Sequence, residues 1–152
     1  MSIEINLKKN NLRLPEAKDP VGSYISSKIV NNLLFISGQI SINESGKLIK
    51  GKIGKDLTTE QGYVAAKMCA LSILSQAKKK LDDLEKIKSC VKIVGFVNSE
   101  NNFTEQPKVI NGASDTIVSL LGEAGKHSRA AVSVNSLPLG VVVEVDAIFE
   151  LY

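Results

Sequence analysis

The C-terminal segment of this chain, residues 141–151, alternates between two kinds of side chain with the period of a β-strand. One face of such a strand would be wholly apolar, with Val141, Val143, Val145, Ala147 and Phe149. The opposite face would be mixed, with Val142, Glu144, Asp146, Ile148 and Glu150. A strand of this kind needs a covering layer on its apolar side. The chain is therefore predicted to fold around a sheet that other elements cover on one face.

Patterns upstream predict those other elements. Behind a cap at Thr58 or Thr59, an apolar stripe at helical spacing predicts a long helix, made by Val64, Met68, Leu71, Leu74 and Leu81. A second helix follows the loop 98–107, and further strands are predicted over residues 24–30, 33–39, 87–97 and 129–134. The order β-β-α-β-α-β-β indicates an α+β fold, a single sheet with two helices on one face. We expect one domain over residues 1–152, in which residues 1–13 form either a short helix or a loose arm.

Two helices cover only one face of a single sheet. The other face carries more apolar surface than an isolated monomer leaves in contact with water. We therefore expect an oligomer that buries this face, with ligand clefts where its subunits meet.

Composition excludes several classes of function. The net charge of +3 is spread along the chain apart from Lys78–Lys80 at a predicted helix end, so no nucleic-acid partner is expected. Cys69 and Cys90 are interpreted as free thiols, and with a single His they form no metal site. No apolar run approaches the roughly 18 residues of a membrane span, and no secretory signal is visible. The expected location is the cytoplasm, without membrane association.

Arg129 is the first candidate for chemistry. Lys supplies nearly every cation of this chain, and Arg13 is the only other arginine. A guanidinium binds a carboxylate through two parallel hydrogen bonds, which a lysine ammonium cannot reproduce. Arg129, at the start of a strand, is therefore either a carboxylate-binding residue or a surface cation paired with a nearby acid.

Glu144 is the second candidate, because it lies between valines in the last strand. It is either exposed at an edge, paired, or held in a pocket where a raised pKa suits proton transfer. In a simple hairpin turning at Pro138 and Gly140, its neighbour is Ser133, about 13 Å along the strand from Arg129. The two candidates would then act on opposite ends of a ligand or meet from different subunits.

Five other residues are weaker candidates. Gly38, after Ser37 at the end of a buried strand, either admits a ligand to the backbone or marks a plain bulge. Asn111, at the predicted start of the second helix, is either an anion-binding residue or an ordinary N-cap. Tyr24 and His127 are ambiguous, since a lone His is more often structural.

Two motifs resemble those of a known family. The run that begins at Arg129 is Arg-Ala-Ala-Val-Ser-Val-Asn-Ser-Leu-Pro-Leu-Gly-Val-Val-Val-Glu-Val-Asp-Ala-Ile. It resembles the C-terminal signature of the YjgF/RidA family, and Leu-Phe-Ile-Ser-Gly-Gln, ending at Gln39, resembles its N-terminal motif. The resemblance implies a homotrimer of chorismate-mutase-like fold. It also implies cofactor-free hydrolysis of enamine or imine intermediates, such as 2-aminoacrylate, to 2-keto acids and ammonia.

The resemblance also implies roles for individual residues. Arg129 would bind the substrate carboxylate with help from the backbone at Gly38, and Glu144 would position or activate water. The intersubunit cleft would be lined by Tyr24, Ser37 and Asn111. His127 and the backbone of Ala131 are further candidates, Ala131 standing where the family often has a cysteine.

The loop 98–107 is longer than in the short deaminases, and the following pattern Phe-x-x-Gln-Pro-x-Val-x-Asn-Gly-Ala-Ser resembles a separate branch. The resemblance therefore supports the fold and the role of Arg129 better than it supports a particular substrate. We consider three functions: an enamine or imine hydrolase, a non-catalytic trimer that binds a small carboxylate and regulates another process, and an endoribonuclease or translation inhibitor. The single His argues against the third, because it provides no His pair for RNA cleavage.

Overall fold

A computed structural model describes residues 2–152 of the chain. Its helices are α1 (Ile3–Lys9), α2 (Thr59–Leu81) and α3 (Gln106–Leu121). Its strands are β1 (Ser27–Val30), β2 (Leu33–Ile40), β3 (Ile87–Asn98), β4 (Ser128–Val134) and β5 (Val143–Leu151). The predicted order β-β-α-β-α-β-β is confirmed, with α1 added in front of it.

All five strands form one sheet in the order β1-β2-β5-β3-β4. Neighbouring strands are antiparallel except β3 and β4, which are parallel and are joined by the crossover helix α3. Both long helices pack on the same face, and the odd-numbered residues of β5 point into that core as predicted. The α+β fold with two helices on one face of a single sheet is confirmed.

The predicted hairpin of the last two strands is wrong. β3 lies between β4 and β5 and pairs with both, so Ser133 is not the neighbour of Glu144. The reason is the α3 crossover, which returns the chain parallel to β3 at the edge of the sheet and leaves the inner position to β5. The chain then passes the end of β3 through a 3-10 turn, Pro138–Gly140.

The long helix α2 begins where the sequence predicts. Thr58 accepts a hydrogen bond from the backbone N–H of Gln61, whose side chain accepts one from the N–H of Thr58. The stripe from Met68 to Leu81 is buried, but Val64 is 53% exposed. Its inclusion in the core stripe was wrong, because the buried side of this turn is formed by Ala65 and Ala66.

Residues before the sheet are fastened to the helical layer. Asn6 of α1 donates its side-chain amide to the backbone oxygen of Leu120, at 2.8 Å. Further along, Ser75 and Gln76 of α2 donate to the carbonyls of Pro15 and Lys18, both at 2.7 Å. These bonds carry the chain along α2 towards β1, which starts three residues later than predicted.

The face of the sheet that turns away from the helices is uncovered within the protomer. Its side chains include Phe35, Phe96, Val132 and Ile148, of which Phe35 is 39% and Val132 45% exposed. We call this the open face.

None of the helices within residues 2–152 has the length and apolarity to cross a membrane.

Candidate functional site

A β-bulge reshapes the sheet at Ser37 and Gly38. Between the pairs Ile36–Ala147 and Gln39–Val145, β2 advances by three residues while β5 advances by two. One extra residue therefore sits in β2, which bends the strand locally. The bulge interpretation of Gly38 is confirmed.

Gly38 makes room for Glu144. A Cβ atom at position 38 would lie 2.9 Å from Oε1 and 3.0 Å from Cδ of Glu144, closer than real contacts allow. The carboxylate thus lies directly over the glycine backbone on the open face. No side chain within residues 2–152 forms an ion pair with it. Partial burial, together with the nearby charge of Asp146, raises the pKa of Glu144 above its ordinary value.

The bulge borders a shallow cleft of about 510 Å³ on the open face. We call it the open-face cleft; its lining includes Tyr24, Ile25, Lys28, Ser37, Gly38 and Asp146. Tyr24 lies before β1 and is 53% exposed, whereas the Ser37 hydroxyl donates to the backbone oxygen of Ile25 at 2.7 Å. Partial burial also raises the pKa of Asp146. Of the two acids with raised pKa values, Asp146 lines this cleft and Glu144 lies beside Gly38 at its border.

Arg129 lies at the opposite edge of the sheet, where its side chain runs along α3. Its Nη1 donates to Oδ1 of Asn111 at 2.8 Å and to Oγ of Ser114 at 3.0 Å, and Nη2 approaches the backbone oxygen of Pro107 at 3.5 Å. Ser114 Oγ is also 2.9 Å from Nε2 of His127. We call Arg129, Asn111, Ser114 and His127 the arginine cradle.

The guanidinium keeps one side free. Both N–H groups of Nη1 are used within the cradle, whereas Nε and one N–H of Nη2 have no acceptor among residues 2–152. Those two parallel donors form the edge that binds a carboxylate in bidentate fashion. No acid within the described residues pairs with Arg129.

Asn111 does not cap the second helix. α3 begins at Gln106, after an N-cap at Glu105, so Asn111 lies inside the helix and its backbone N–H is not available to an anion. Pro107 at the start of α3 is compatible with this earlier beginning, because the first turn has no hydrogen bond to lose. The Asn111 side chain accepts from Arg129 instead.

Arg129 and Glu144 do not meet within one protomer. Across β3, Arg129 aligns with Ile93 and Ala147, which face the helices, whereas Glu144 aligns with Phe96 on the open face. Three residues and two strand spacings separate them, which places their Cα atoms roughly 14 Å apart with side chains on opposite faces. The candidate residues therefore fall into two groups, the arginine cradle and the open-face cleft with Glu144.

Ser114 and Asp146 belong to these groups but were not among the residues predicted from the sequence. Ser114 follows Asn111 by three positions, a spacing that places both on one side of a helix. Asp146 follows Glu144 by two positions in a strand, which places both on one face.

Ala131 lies in β4 with its side chain against the core and pairs with Gly95 of β3. No group of three or more His, Cys, Asp and Glu side chains in residues 2–152 is arranged to hold a metal ion.

The chain belongs to the family described as "YjgF/chorismate_mutase-like, putative endoribonuclease", which it matches over residues 4–151. It is 44% identical to Protein TCP17 of Trypanosoma cruzi, over 98% of this chain and 94% of that protein. The crystal structure of the protein Atu1372 of unknown function from Agrobacterium tumefaciens is similar, with a TM-score of 0.91 and 42% identity, covering 99% of this chain and 92% of that one.

The structure of RidA from a Psychrobacter species is also similar, with 25% identity, but its TM-score is 0.61, with coverage of 90% of this chain and 94% of that one. The chain is thus more similar in backbone to Atu1372 than to this RidA.

Proposed function

We propose that this protein hydrolyses a reactive enamine or imine that carries a carboxylate, similar to 2-aminoacrylate, to a 2-keto acid and ammonia. The observation that carries the proposal is the free edge of Arg129, a guanidinium without an acidic partner whose Nε–H and one Nη2 N–H have no acceptor among residues 2–152. This edge matches the carboxylate that such substrates share. No cofactor enters the proposed reaction.

The proposed chemistry needs one base and one water. The imine CH3–C(=NH)–COO⁻ takes up water at its C=N carbon, the new C–O bond forms as nitrogen gains a proton, and the carbinolamine then expels ammonia to leave CH3–CO–COO⁻. Arg129 would orient the substrate, and Glu144 would accept a proton from the water and return one to the leaving nitrogen. The raised pKa of Glu144 favours this exchange, because Glu144 holds a proton more tightly than an ordinary carboxylate and so takes one from water more readily.

We propose further that each site forms between two protomers of a homotrimer. The arginine cradle lies at the β4 edge, and the open-face cleft lies among β1, β2 and β5 towards the other edge. In a cyclic head-to-tail assembly, the edge of one protomer meets the opposite side of the next. Such an arrangement would bring Arg129 of one chain to Glu144 of its neighbour and would also cover the open face.

A second candidate is a non-catalytic trimer that binds a small carboxylate. The arginine cradle favours it, since this group alone is sufficient to hold a carboxylate. The endoribonuclease description fits less well, because both ring nitrogens of the single His127 are engaged, with Ser114 and with the backbone oxygen of Gly125.

We assign the protein to the cytoplasm, where the buried thiols of Cys69 and Cys90 would remain reduced.

The test is release of ammonia from 2-aminoacrylate generated in the assay by a serine dehydratase. We expect the protein to accelerate this release, Glu144→Gln to abolish the acceleration while still binding pyruvate, and Arg129→Ala to lose both. Arg13→Lys is the matched control and should behave like the unmodified protein. Pyruvate binding without any acceleration would support the non-catalytic candidate instead.

A further inference from the structure

The hydrogen bonds behind Arg129 have a defined direction. Nδ1 of His127 lies 2.6 Å from the backbone oxygen of Gly125, an atom that only accepts hydrogen bonds. Neutral His127 must therefore carry its proton on Nδ1, which leaves Nε2 as an acceptor. Ser114 Oγ, 2.9 Å away, then donates its hydroxyl proton to Nε2 and turns its lone pairs towards Nη1 of Arg129.

The helix that carries Ser114 is held in a fixed position. Pro107, Asn111 and Ser114 follow at spacings of four and three, so all three present their oxygens on one side of α3. The helix cannot rotate or shift freely, because Gly112 on another side packs against α2. A Cβ atom there would lie 1.9 Å from the backbone oxygen of Tyr63. The contact between α2 and α3 thus fixes where the acceptors for Arg129 lie.

We propose that Ser114 and His127 are positioning residues, which hold the guanidinium of Arg129 so that its Nε and Nη2 edge faces the ligand. This inference deepens the proposed function and rests on it where ligand binding is concerned. His127 sets the direction of the Ser114 hydroxyl, and Ser114 with Asn111 engages both protons of Nη1. The bidentate edge is thereby ordered before a carboxylate arrives, which reduces the entropy lost on binding.

No acid of the described chain competes for the imidazole. The nearest acid in sequence, Glu123, forms an ion pair with Lys126 at 2.9 Å. The partners of His127 are therefore a hydroxyl and a backbone carbonyl, and the nearest cation in the network is Arg129 itself, reached through Ser114. This arrangement suits an orienting role for the ring.

The chain suits a direct test by nitrogen NMR without any ligand, because it has one His and only two Arg residues. We expect His127 to be the Nδ1–H tautomer at neutral pH. We also expect rotation about the Nε–Cζ bond of Arg129 to be slow in the unmodified protein and about two- to tenfold faster in Ser114→Ala, since one hydrogen bond to Nη1 is lost. Arg13→Lys identifies the Arg129 signals. An Nε2–H tautomer, or an unchanged rotation rate in Ser114→Ala, would overturn the proposal.

A second measurement connects the network to binding, with pyruvate as the carboxylate probe in titration calorimetry. We expect Ser114→Ala and His127→Leu to bind pyruvate about three- to tenfold more weakly. His127→Gln should bind within about twofold of the unmodified protein, because its amide oxygen can accept the Ser114 proton. Equal weakening by His127→Gln and His127→Leu would argue for mere packing and against positioning. If the unmodified protein binds no pyruvate, the proposed function fails, while the NMR measurement still decides the positioning role.

Discussion

Arg129→Lys should weaken carboxylate binding almost as much as removal of the side chain. In the structure, three of the five N–H donors of Arg129 are used by Asn111, Ser114 and Pro107, and two remain for the ligand. A lysine ammonium has three donors and would retain at most one for the ligand after satisfying the side-chain oxygens of Asn111 and Ser114. One charge-assisted hydrogen bond is therefore lost, which costs roughly 1.5–3 kcal/mol, or about one to two decades in affinity.

Titration calorimetry with pyruvate measures this loss. The matched control is Arg13→Lys, the same substitution at the other arginine of the chain, which lies exposed in the segment before the sheet. We expect the control to bind like the unmodified protein. If Arg129→Lys binds pyruvate within about threefold of the unmodified protein, the bidentate geometry is irrelevant and the assigned carboxylate site is wrong.

Three further predictions concern single side chains. Gly38→Ala should push the carboxylate of Glu144 away from its position and slow ammonia release about tenfold or more; an unchanged rate would contradict the close contact. Glu144→Gln should stabilise the fold at pH 7 and change its stability little at pH 4. The native state holds the Glu144 proton more tightly than the unfolded chain does, so the unmodified protein loses stability as the pH rises through the raised pKa. Urea unfolding at the two pH values gives the sign of the difference in stability. Gly112→Ala should destabilise the protein by about 3 kcal/mol or prevent folding, since its Cβ would overlap the backbone of Tyr63; a thermal midpoint like that of the unmodified protein would refute this packing.

Most of the fold follows from local patterns in the sequence. The alternation of β5 is readable because side chains in a strand alternate between faces, and the capping of α2 by Thr58 is readable from the Gln three residues later. The strand order, by contrast, does not follow from local patterns. Whether β4 pairs with β5 or with β3 depends on where α3 carries the chain, and nothing in residues 129–151 records that path.

The candidate site was predictable as a set of residue types and less so as a geometry. Arg129 and Glu144 can be identified from the sequence, because arginine is rare in this chain and because Glu144 lies between valines in a strand. Their separation onto two faces depends on the strand order that the sequence does not encode locally. The partners Ser114 and His127 were harder to identify, because the hydrogen bonds of Arg129 depend on the rotation of α3 relative to β4.

Complementation between two variants tests the central proposal, a site built from two chains. Arg129→Ala and Glu144→Gln, each inactive in ammonia release, would be expressed together in equal amounts so that mixed trimers form. If each site takes Arg129 from one protomer and Glu144 from the next, half of the chains supply each group, and about one quarter of the sites regain both. We expect about a quarter of the unmodified activity in the mixture. Activity no higher than that of either variant alone would contradict it.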